Sequence, residues 1–373
     1  MKIVFLTNSI GFGGAEKMMA FVANGLCKKN HNVTILNFDS VAKEVNASLQ
    51  SFDPRIKVIS YFGVKEGEIS RLKKLAFAFN NISRNNANII IGFTAFPNFA
   101  ARIVGSLKGI PSIMSERGNP YITINKKNLH SLLELIVINH SVGGVFQIEG
   151  AKAFYGKYLQ KRATIIPNPI FIKGTISYAS YNNRNKTIVS VGRLDNEQKR
   201  YDIMIQAFSL FVRKYPDWSL KLYGDGPDKH KIQEWIEEKK ISDNVLLMGV
   251  SKNPMRDISN DGMFLITSDY EGISNSLLEA MAVGLPCVST DSSPGGARML
   301  IQDGVNGLLA PIGDPDSIAK AMVRFLEEPG LAKSCGEKAR DVIKRFDADM
   351  IIDRWENYIA GIVASNKASQ QHQ

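Results

Sequence analysis

A chain of 373 residues is longer than one ordinary hydrophobic core serves, so two domains are expected. Its apolar (44%) and charged (22%) fractions are those of a soluble globular protein, and no apolar run approaches the ~18 residues that argue for a membrane span. The three cysteines, Cys27, Cys287 and Cys335, are far apart and without metal spacing, which excludes a disulfide scaffold and reads as reduced core thiols in a cytosolic protein. The net charge of +10 is unevenly placed: residues 1–175 hold 22 Lys and Arg against 9 Asp and Glu, residues 176–373 hold 24 against 27. A basic first half points to a polyanionic partner. Nucleic acid fits poorly, because the basic residues are not interleaved with aromatics and no nucleic-acid motif is present. An anionic membrane surface or a lipid-pyrophosphate acceptor fits better, with plain solubility as the alternative.

In chain order, Lys2–Leu6 is a first buried strand, too short for a signal peptide. Gly11-Phe-Gly-Gly-Ala-Glu16 then opens a helix over Ala15–Lys29. Glycines there let backbone approach a ligand closely, yet Glu16 stands where a Gly-x-Gly-x-x-Gly dinucleotide fingerprint needs its last glycine, and Asp39 only weakly offers the acidic residue of a second strand. A plain tight turn is an equal reading. Strand runs at Asn32–Asn37, Lys57–Tyr61, Asn88–Gly92 and Ser112–Ser115 alternate with helical patterns at Ile69–Asn85 and Asn98–Leu107. That rhythm predicts βαβ units and a parallel sheet. Within Ile69–Asn85, Leu72, Leu75, Ala76 and Phe79 share one side while Arg71, Lys73, Lys74 and Arg84 lie elsewhere. This suits a membrane-surface helix and equally an ordinary domain helix with a solvated basic face. Ser115-Glu-Arg-Gly-Asn-Pro120 closes a first-domain strand, placing Glu116 and Arg117 at its end.

Residues 173–186 read as a polar linker, after which a second alternating series begins: Thr187–Val191, Ser219–Tyr223, Val245–Met248, Met263–Thr267 and Pro286–Thr290. The expected fold is therefore α/β, two Rossmann-like domains facing each other across a cleft, with boundaries at 1–172 and 186–348. After the first strand of the second domain, Arg193 and Lys199 flank a short polar loop ahead of a helix starting near Tyr201. Two fixed cations stabilise the charge that develops on a departing diphosphate. Tyr223-Gly-Asp-Gly-Pro227 is a tight turn, mainly structural.

The densest information lies in Glu271-Gly-Ile-Ser-Asn-Ser-Leu-Leu-Glu279. Glu271 sits in the loop at a strand's carboxyl end, where open α/β sheets bind ligands. Ser274, Asn275 and Ser276 supply cap-type side chains and free N–H groups at a helix start, the equipment for an anion, and Glu279 lies about one turn further in. Carboxylates beside an anion need hydroxyls to accept from, so the ligand described is a sugar nucleotide. Asp314-Pro-Asp316 and Asp347-Ala-Asp349 resemble metal-binding Asp-x-Asp only superficially; each precedes a helical run where Asp is an ordinary cap, so no metal is expected.

The stretch YEGISNSLLEAMAVGLPCVSTD also resembles the donor-site signature (Glu, seven residues, Glu) of the family 4 retaining glycosyltransferases, and the resemblance runs from the Gly-rich first turn to NGLLAPIGD at 306–314. It implies the two-domain GT-B fold, with a C-terminal helix near residues 349–365 packing back on the first domain and a frayed polar tail from Ser365. It implies that Arg193 and Lys199 hold the donor pyrophosphate, Glu271 a hydroxyl of the donor sugar and Glu279 the ribose hydroxyls. Backbone around Ser274, Asn275 and Ser276 would orient sugar and phosphates, and Val250 and Ser251 would meet the uracil ring. The loop carrying Gly13 and Gly14 would face the donor phosphates and the acceptor. Where many members have a catalytically important His, this chain has the Glu116–Arg117 stretch, which the resemblance puts on the acceptor side in its place. The activity implied is transfer of a hexose or N-acetylhexosamine from a UDP-sugar to a lipid-linked glycan, without metal, in bacterial surface-polysaccharide or glycoprotein assembly, by a cytoplasmic protein peripheral on the membrane. Two rivals remain: a sugar-nucleotide 2-epimerase of the same architecture, which would need His and carboxylates placed to move a proton, and a non-catalytic basic binding protein.

Overall fold

The computed structural model describes residues 1–11, 14–38, 52–61, 70–124, 128–172 and 181–371. The chain forms two compact units, Met1–Asn168 with Ala348–Gln373, and Pro169–Asp347. Gly13, Asp39 and Ile69 lie outside the described residues.

The first unit holds seven parallel strands: β1 (Lys2–Thr7), β2 (Asn32–Asn37), β3 (Lys57–Ser60), β4 (Ile89–Phe93), β5 (Ser112–Ser115), β6 (Gly143–Phe146) and β7 (Ala163–Ile165). Their order across the sheet is β3-β2-β1-β4-β5-β6-β7. Strands buried on both faces need apolar side chains at every position, and β4 reads Ile-Ile-Ile-Gly-Phe with all five residues buried. The period of two divides β1 between two cores. Ile3 and Phe5 pack with the helix Gly14–Lys28 and the C-terminal helix, while Val4 and Leu6 pack with the helices Arg71–Asn81 and Ala95–Lys108. Trp355 of the C-terminal helix stacks on Phe93 with ring centroids 5.9 Å apart and is fully buried. That ring, with Ile351 and Ile359 in the same core and the Tyr358 hydroxyl accepting from the Gly144 N–H at 2.8 Å, secures the last element of the chain to the first sheet.

The second unit holds β8 (Thr187–Val191), β9 (Ser219–Tyr223), β10 (Val245–Gly249), β11 (Met263–Ile266), β12 (Cys287–Thr290) and β13 (Leu308–Ala310), all parallel, in the order β10-β9-β8-β11-β12-β13. Both sheets reverse their direction of winding beside their first strand, at β1/β4 and at β8/β11. In open α/β sheets such a switch point leaves a crevice outside the carboxyl ends of the strands.

Three strands escape a periodicity reading because they are short: β6 carries two glycines, and β7 and β13 span three residues each. The helix expected over 69–85 spans only Arg71–Asn81. Ser70 caps it, accepting from the Lys73 N–H at 3.4 Å, and Ile82 turns extended. The tail expected to fray from Ser365 is instead helical to Gln371. Its Ala, Lys and Gln residues favour helix, and no Gly or Pro breaks it. The three cysteines are free and buried.

Candidate active site

The switch point of the second unit is built from the loops that follow β8 and β11. Gly192-Arg193-Leu194-Asp195 leaves β8 and enters a one-turn helix, Asn196–Lys199, whose first turn is capped by Asp195 accepting from the Glu197 N–H at 3.2 Å. Arg200 then takes a left-handed conformation (φ 52°), so the chain kinks before the long helix Tyr201–Lys214 begins. The kink is held from both sides. Arg200 pairs with Asp202 at 2.9 Å and with Asp269 at 2.8 Å, and Thr267, buried at the end of β11, donates its hydroxyl to the carbonyls of Lys199 (2.9 Å) and Arg200 (3.1 Å). Arg200 is a structural cation, turned away from its neighbour's partner.

Lys199 is thereby directed at Glu271. Its ammonium forms an ion pair with Glu271 Oε1, and the Ser268 hydroxyl donates to the same oxygen at 3.0 Å. The two side chains are 16% and 13% exposed, so the pair is largely withdrawn from water yet open on one side. Arg193 differs: its side chain is 71% exposed and its nearest carboxylate, Asp195, is 4.0 Å away. The site therefore offers one neutralised cation and one cation held in water by little else. Tyr201, buried behind the loop, has its phenol pushed well above the usual range by burial, with the negative charges of Glu271 and Asp195 adding to the effect. It stays a neutral hydroxyl.

The Glu271 loop is set by backbone. The Glu271 N–H donates to Ser293 O at 2.8 Å, the Asp269 N–H to Gln198 O at 3.0 Å, and Gln198 Nε2 to Tyr270 O at 3.0 Å. Two glycines are obligatory here. A Cβ on Gly296 would lie 1.6 Å from Gly272 O, and one on Gly224 would lie 1.8 Å from Gly192 O. Gly224 also has φ +151°. Backbone packs on backbone at both points, which fixes the two site loops against their neighbours.

Ser274 is the N-cap of the helix Asn275–Ala282, accepting from the Leu277 N–H at 3.4 Å, and its hydroxyl meets that of Ser276 at 3.2 Å. Asn275 is exposed and Glu279 is half-buried on the first turns of this helix. The cap takes the Leu277 N–H, so an anion at this helix start would meet the N–H groups of Asn275 and Ser276. Val250, just past the edge strand β10, is 73% exposed, and Ser251 donates to Asp257 at 2.6 Å.

In the first unit Gly14 is the first residue of its helix and is exposed. Glu116 and Arg117 follow β5 and are both buried. Glu116 accepts from the N–H groups of Arg117 and Gly118, each at 2.9 Å, and from the Tyr155 hydroxyl at 2.8 Å. Arg117 donates to Ser115 Oγ (2.9 Å), Ile166 O (3.1 Å) and Asn168 Oδ1 (3.5 Å), and its guanidinium faces the rings of Phe93 and Trp355. Burial pushes it down to about 9, with the nearby Glu116 opposing the shift. Each of the two is held by its own unit's groups.

Among the described residues no group of three or more His, Cys, Asp or Glu is arranged to hold a metal ion. Asp314 caps the helix Pro315–Glu327, accepting from the Ser317 N–H at 3.0 Å. Sequence reasoning missed Thr267, Ser268 and Asp269, which position Lys199, Glu271 and Arg200. Their only signal was three consecutive polar residues at the carboxyl end of an otherwise apolar strand.

A doubly wound α/β unit with paired charges at its switch point is a nucleotide-handling architecture. The model of the glycosyl transferases group 1 family matches residues 179–342, most of the second unit. The chain is similar to an exopolysaccharide phosphotransferase of Streptomyces coelicolor, 36% identical over 48% of this chain but only 19% of that protein's length. It is also similar to the N-acetylgalactosamine-N,N'-diacetylbacillosaminyl-diphospho-undecaprenol 4-alpha-N-acetylgalactosaminyltransferase of Campylobacter jejuni, 27% identical over 96% of this chain and all of that one. The crystal structure of Anabaena HepE in complex with UDP and glucose superposes with a TM-score of 0.78 at 18% identity, covering 97% of this chain and 100% of that one. The fold is the α/β two-domain fold of the GT-B glycosyltransferases.

Proposed function

We propose that the chain is a retaining, metal-independent glycosyltransferase that moves a hexose or N-acetylhexosamine from a UDP-sugar to a lipid-linked glycan in bacterial surface-polysaccharide or glycan assembly. The observation that carries this reading is the Lys199–Glu271 pair at the switch point, with exposed Arg193 on the same loop as Lys199. A cation and a carboxylate side by side match a ligand that carries phosphates next to hydroxyls. Arg193 and Lys199 take the diphosphate, Glu271 a donor-sugar hydroxyl, and Glu279 the ribose. The start of the helix at Ser274, Asn275 and Ser276 orients sugar and phosphates, and backbone at Val250 meets the base. In this reading Gly14 serves the donor phosphates, and Gly13, Glu116 and Arg117 serve the acceptor, as the resemblance implies.

In this reaction the bond from the anomeric carbon to the diphosphate oxygen breaks, and a bond to the acceptor hydroxyl oxygen forms on the same face. The acceptor proton passes to the departing diphosphate, whose negative charge Arg193 and Lys199 stabilise. No protein nucleophile is invoked. The UDP preference draws on HepE, and the lipid-diphosphate acceptor on the printed name of the Campylobacter relative. A lipid-linked acceptor places the protein peripherally on the cytoplasmic face of an anionic membrane.

The test is incubation with UDP-hexoses and UDP-N-acetylhexosamines, following UDP release with and without an undecaprenyl-diphosphate-linked glycan, in EDTA. Acceptor-dependent UDP release with an α-linked product supports the proposal. A 2-epimerised sugar formed without acceptor would make it an epimerase, and binding without turnover would make it a binding protein.

A further inference from the structure

The loop after β5 runs into a short helix, Pro120–Thr123, at the carboxyl end of the first sheet, one strand from its β1/β4 switch point. The segment is tied down along its length. The Glu116 N–H donates to Val145 O of β6 at 3.0 Å, Gln147 Nε2 to Arg117 O at 3.0 Å, and the Tyr121 N–H to Asn119 Oδ1 at 3.0 Å. From this segment Tyr121 and Ile122 project, 54% and 52% exposed. A lone exposed tyrosine is ordinary. This one is braced: its ring meets that of Phe154 with centroids 5.0 Å apart and planes at 79°, Phe154 meets Tyr155 at 5.3 Å and 74°, and Tyr155 packs on Phe146 at 5.0 Å. The buried Tyr155 hydroxyl donates to Glu116 Oε2 at 2.8 Å. The row of rings thus starts at the carboxylate whose other oxygen holds the N–H groups of Arg117 and Gly118.

A ring restrained in this way spares a ligand most of the cost of ordering it. In an edge-to-face contact one ring gives its edge and the other its face, so Phe154 covers at most one face of Tyr121, and more than half of the residue lies in solvent. An aromatic face is the negative side of the ring quadrupole. It repels phosphate and attracts the C–H bonds on the flat side of a pyranose. Ile122 extends the apolar surface beside it, and the phenol hydroxyl at the rim suits the hydroxyls around a sugar ring. An acyl chain fits less well. It takes any apolar surface and gains nothing from a ring braced by a buried carboxylate, at the end of a sheet where α/β folds place small ligands.

We propose that Tyr121, with Ile122 beside it, is a stacking platform for one pyranose ring of the glycan acceptor. Glu116, buried behind it, is a positioning residue that acts through Tyr155 and Phe154. The inference rests on the glycan-acceptor reading above and deepens it: the sugar seated here presents an unsubstituted C–H face, whichever UDP-sugar is the donor.

Saturation-transfer NMR on the full chain, with UDP and the methyl glycosides of glucose, galactose, N-acetylglucosamine and N-acetylgalactosamine, reads the contact without turnover. The protons of one ring face should saturate most in at least one glycoside. The effect should fall at least about fivefold in Tyr121→Ala and be kept in Tyr121→Trp. In transfer assays Tyr121→Ala should raise the KM for an undecaprenyl-diphosphate-linked glycan by about tenfold, with UDP affinity by calorimetry unchanged. Tyr155→Phe should raise that KM in the otherwise wild-type chain and add nothing in Tyr121→Ala, a coupling that a merely structural role would not produce. Saturation in none of the glycosides, or equal saturation in Tyr121→Ala, overturns the proposal. So does a KM effect with saturation unchanged, which would give the ring to the lipid chain. Additive KM effects would overturn the positioning role of Glu116. A wild type that saturates a glycoside through Tyr121 but transfers no sugar would leave the platform standing and count against the transferase reading, so the two failures are told apart.

Discussion

Removing Lys199 tests the site most directly, because the residue has two separable jobs. Its ammonium neutralises Glu271, and both side chains are more than four-fifths withdrawn from water. Lys199→Met would leave the carboxylate with the Ser268 hydroxyl, and no longer a cation, against its Oε1. Breaking a buried pair by deleting one partner costs about 3–5 kcal/mol, and the residual exposure here brings the expected loss to about 2–3 kcal/mol. Replacing both partners with neutral groups of similar shape removes the stranded charge, so Lys199→Met/Glu271→Gln should recover most of that stability. Catalysis should not follow. If Lys199 stabilises the departing diphosphate, turnover falls by roughly 10²–10³ in Lys199→Met and stays down in the double variant. Denaturant unfolding of the four proteins of the cycle, with UDP release measured on each, gives both quantities. A coupling energy below about 0.5 kcal/mol would refute the buried-pair account. Recovery of turnover together with stability in the double variant would reduce Lys199 to a structural residue.

Arg193→Ala should lower turnover by roughly 10²–10³ with no change in the unfolding midpoint, since its exposed side chain meets only Asp195 at 4.0 Å; comparing UDP release with a thermal melt checks both halves. Gly296→Ala places a methyl 1.6 Å from Gly272 O, so the Glu271 loop must move. Soluble protein with donor binding weakened at least about tenfold is expected, by calorimetry with UDP, and wild-type affinity would show the loop contact to be dispensable. Transfer should persist in EDTA, because Arg193 and Lys199 supply the positive charge; complete loss reversed by Mg²⁺ or Mn²⁺ would contradict this. Binding to anionic vesicles should collapse by about 0.5 M salt, where the Debye length is only a few Å, and weaken when Arg71, Lys73 and Lys74 are neutralised together. Salt-insensitive binding would remove charge from the membrane contact.

Local pattern alone determined the α/β class, most strand positions, and the placing of Arg193, Lys199 and Glu271 in the loops after β8 and β11. Those signals are short-range: apolar runs such as Ile89-Ile-Ile, a cap residue such as Ser274, a glycine where chains touch. Periodicity works for them because burial on both faces of a parallel strand leaves no polar position. Tertiary structure decided everything that depends on residues far apart in sequence. Lys199 and Glu271 are 72 positions apart and meet only because β8 and β11 are neighbours across the switch point. The resemblance already assigned Lys199 and not Arg200 to the site, but what holds the two apart is not local. Lys199 faces the site and Arg200 does not, because Asp202 and Asp269 hold Arg200 and its left-handed backbone turns the chain. Which side of the helix Leu129–Asn139 stays exposed was illegible for the same reason. Its composition is that of a core helix, and only the packing of the helices beside it decides which of its leucines remain in water.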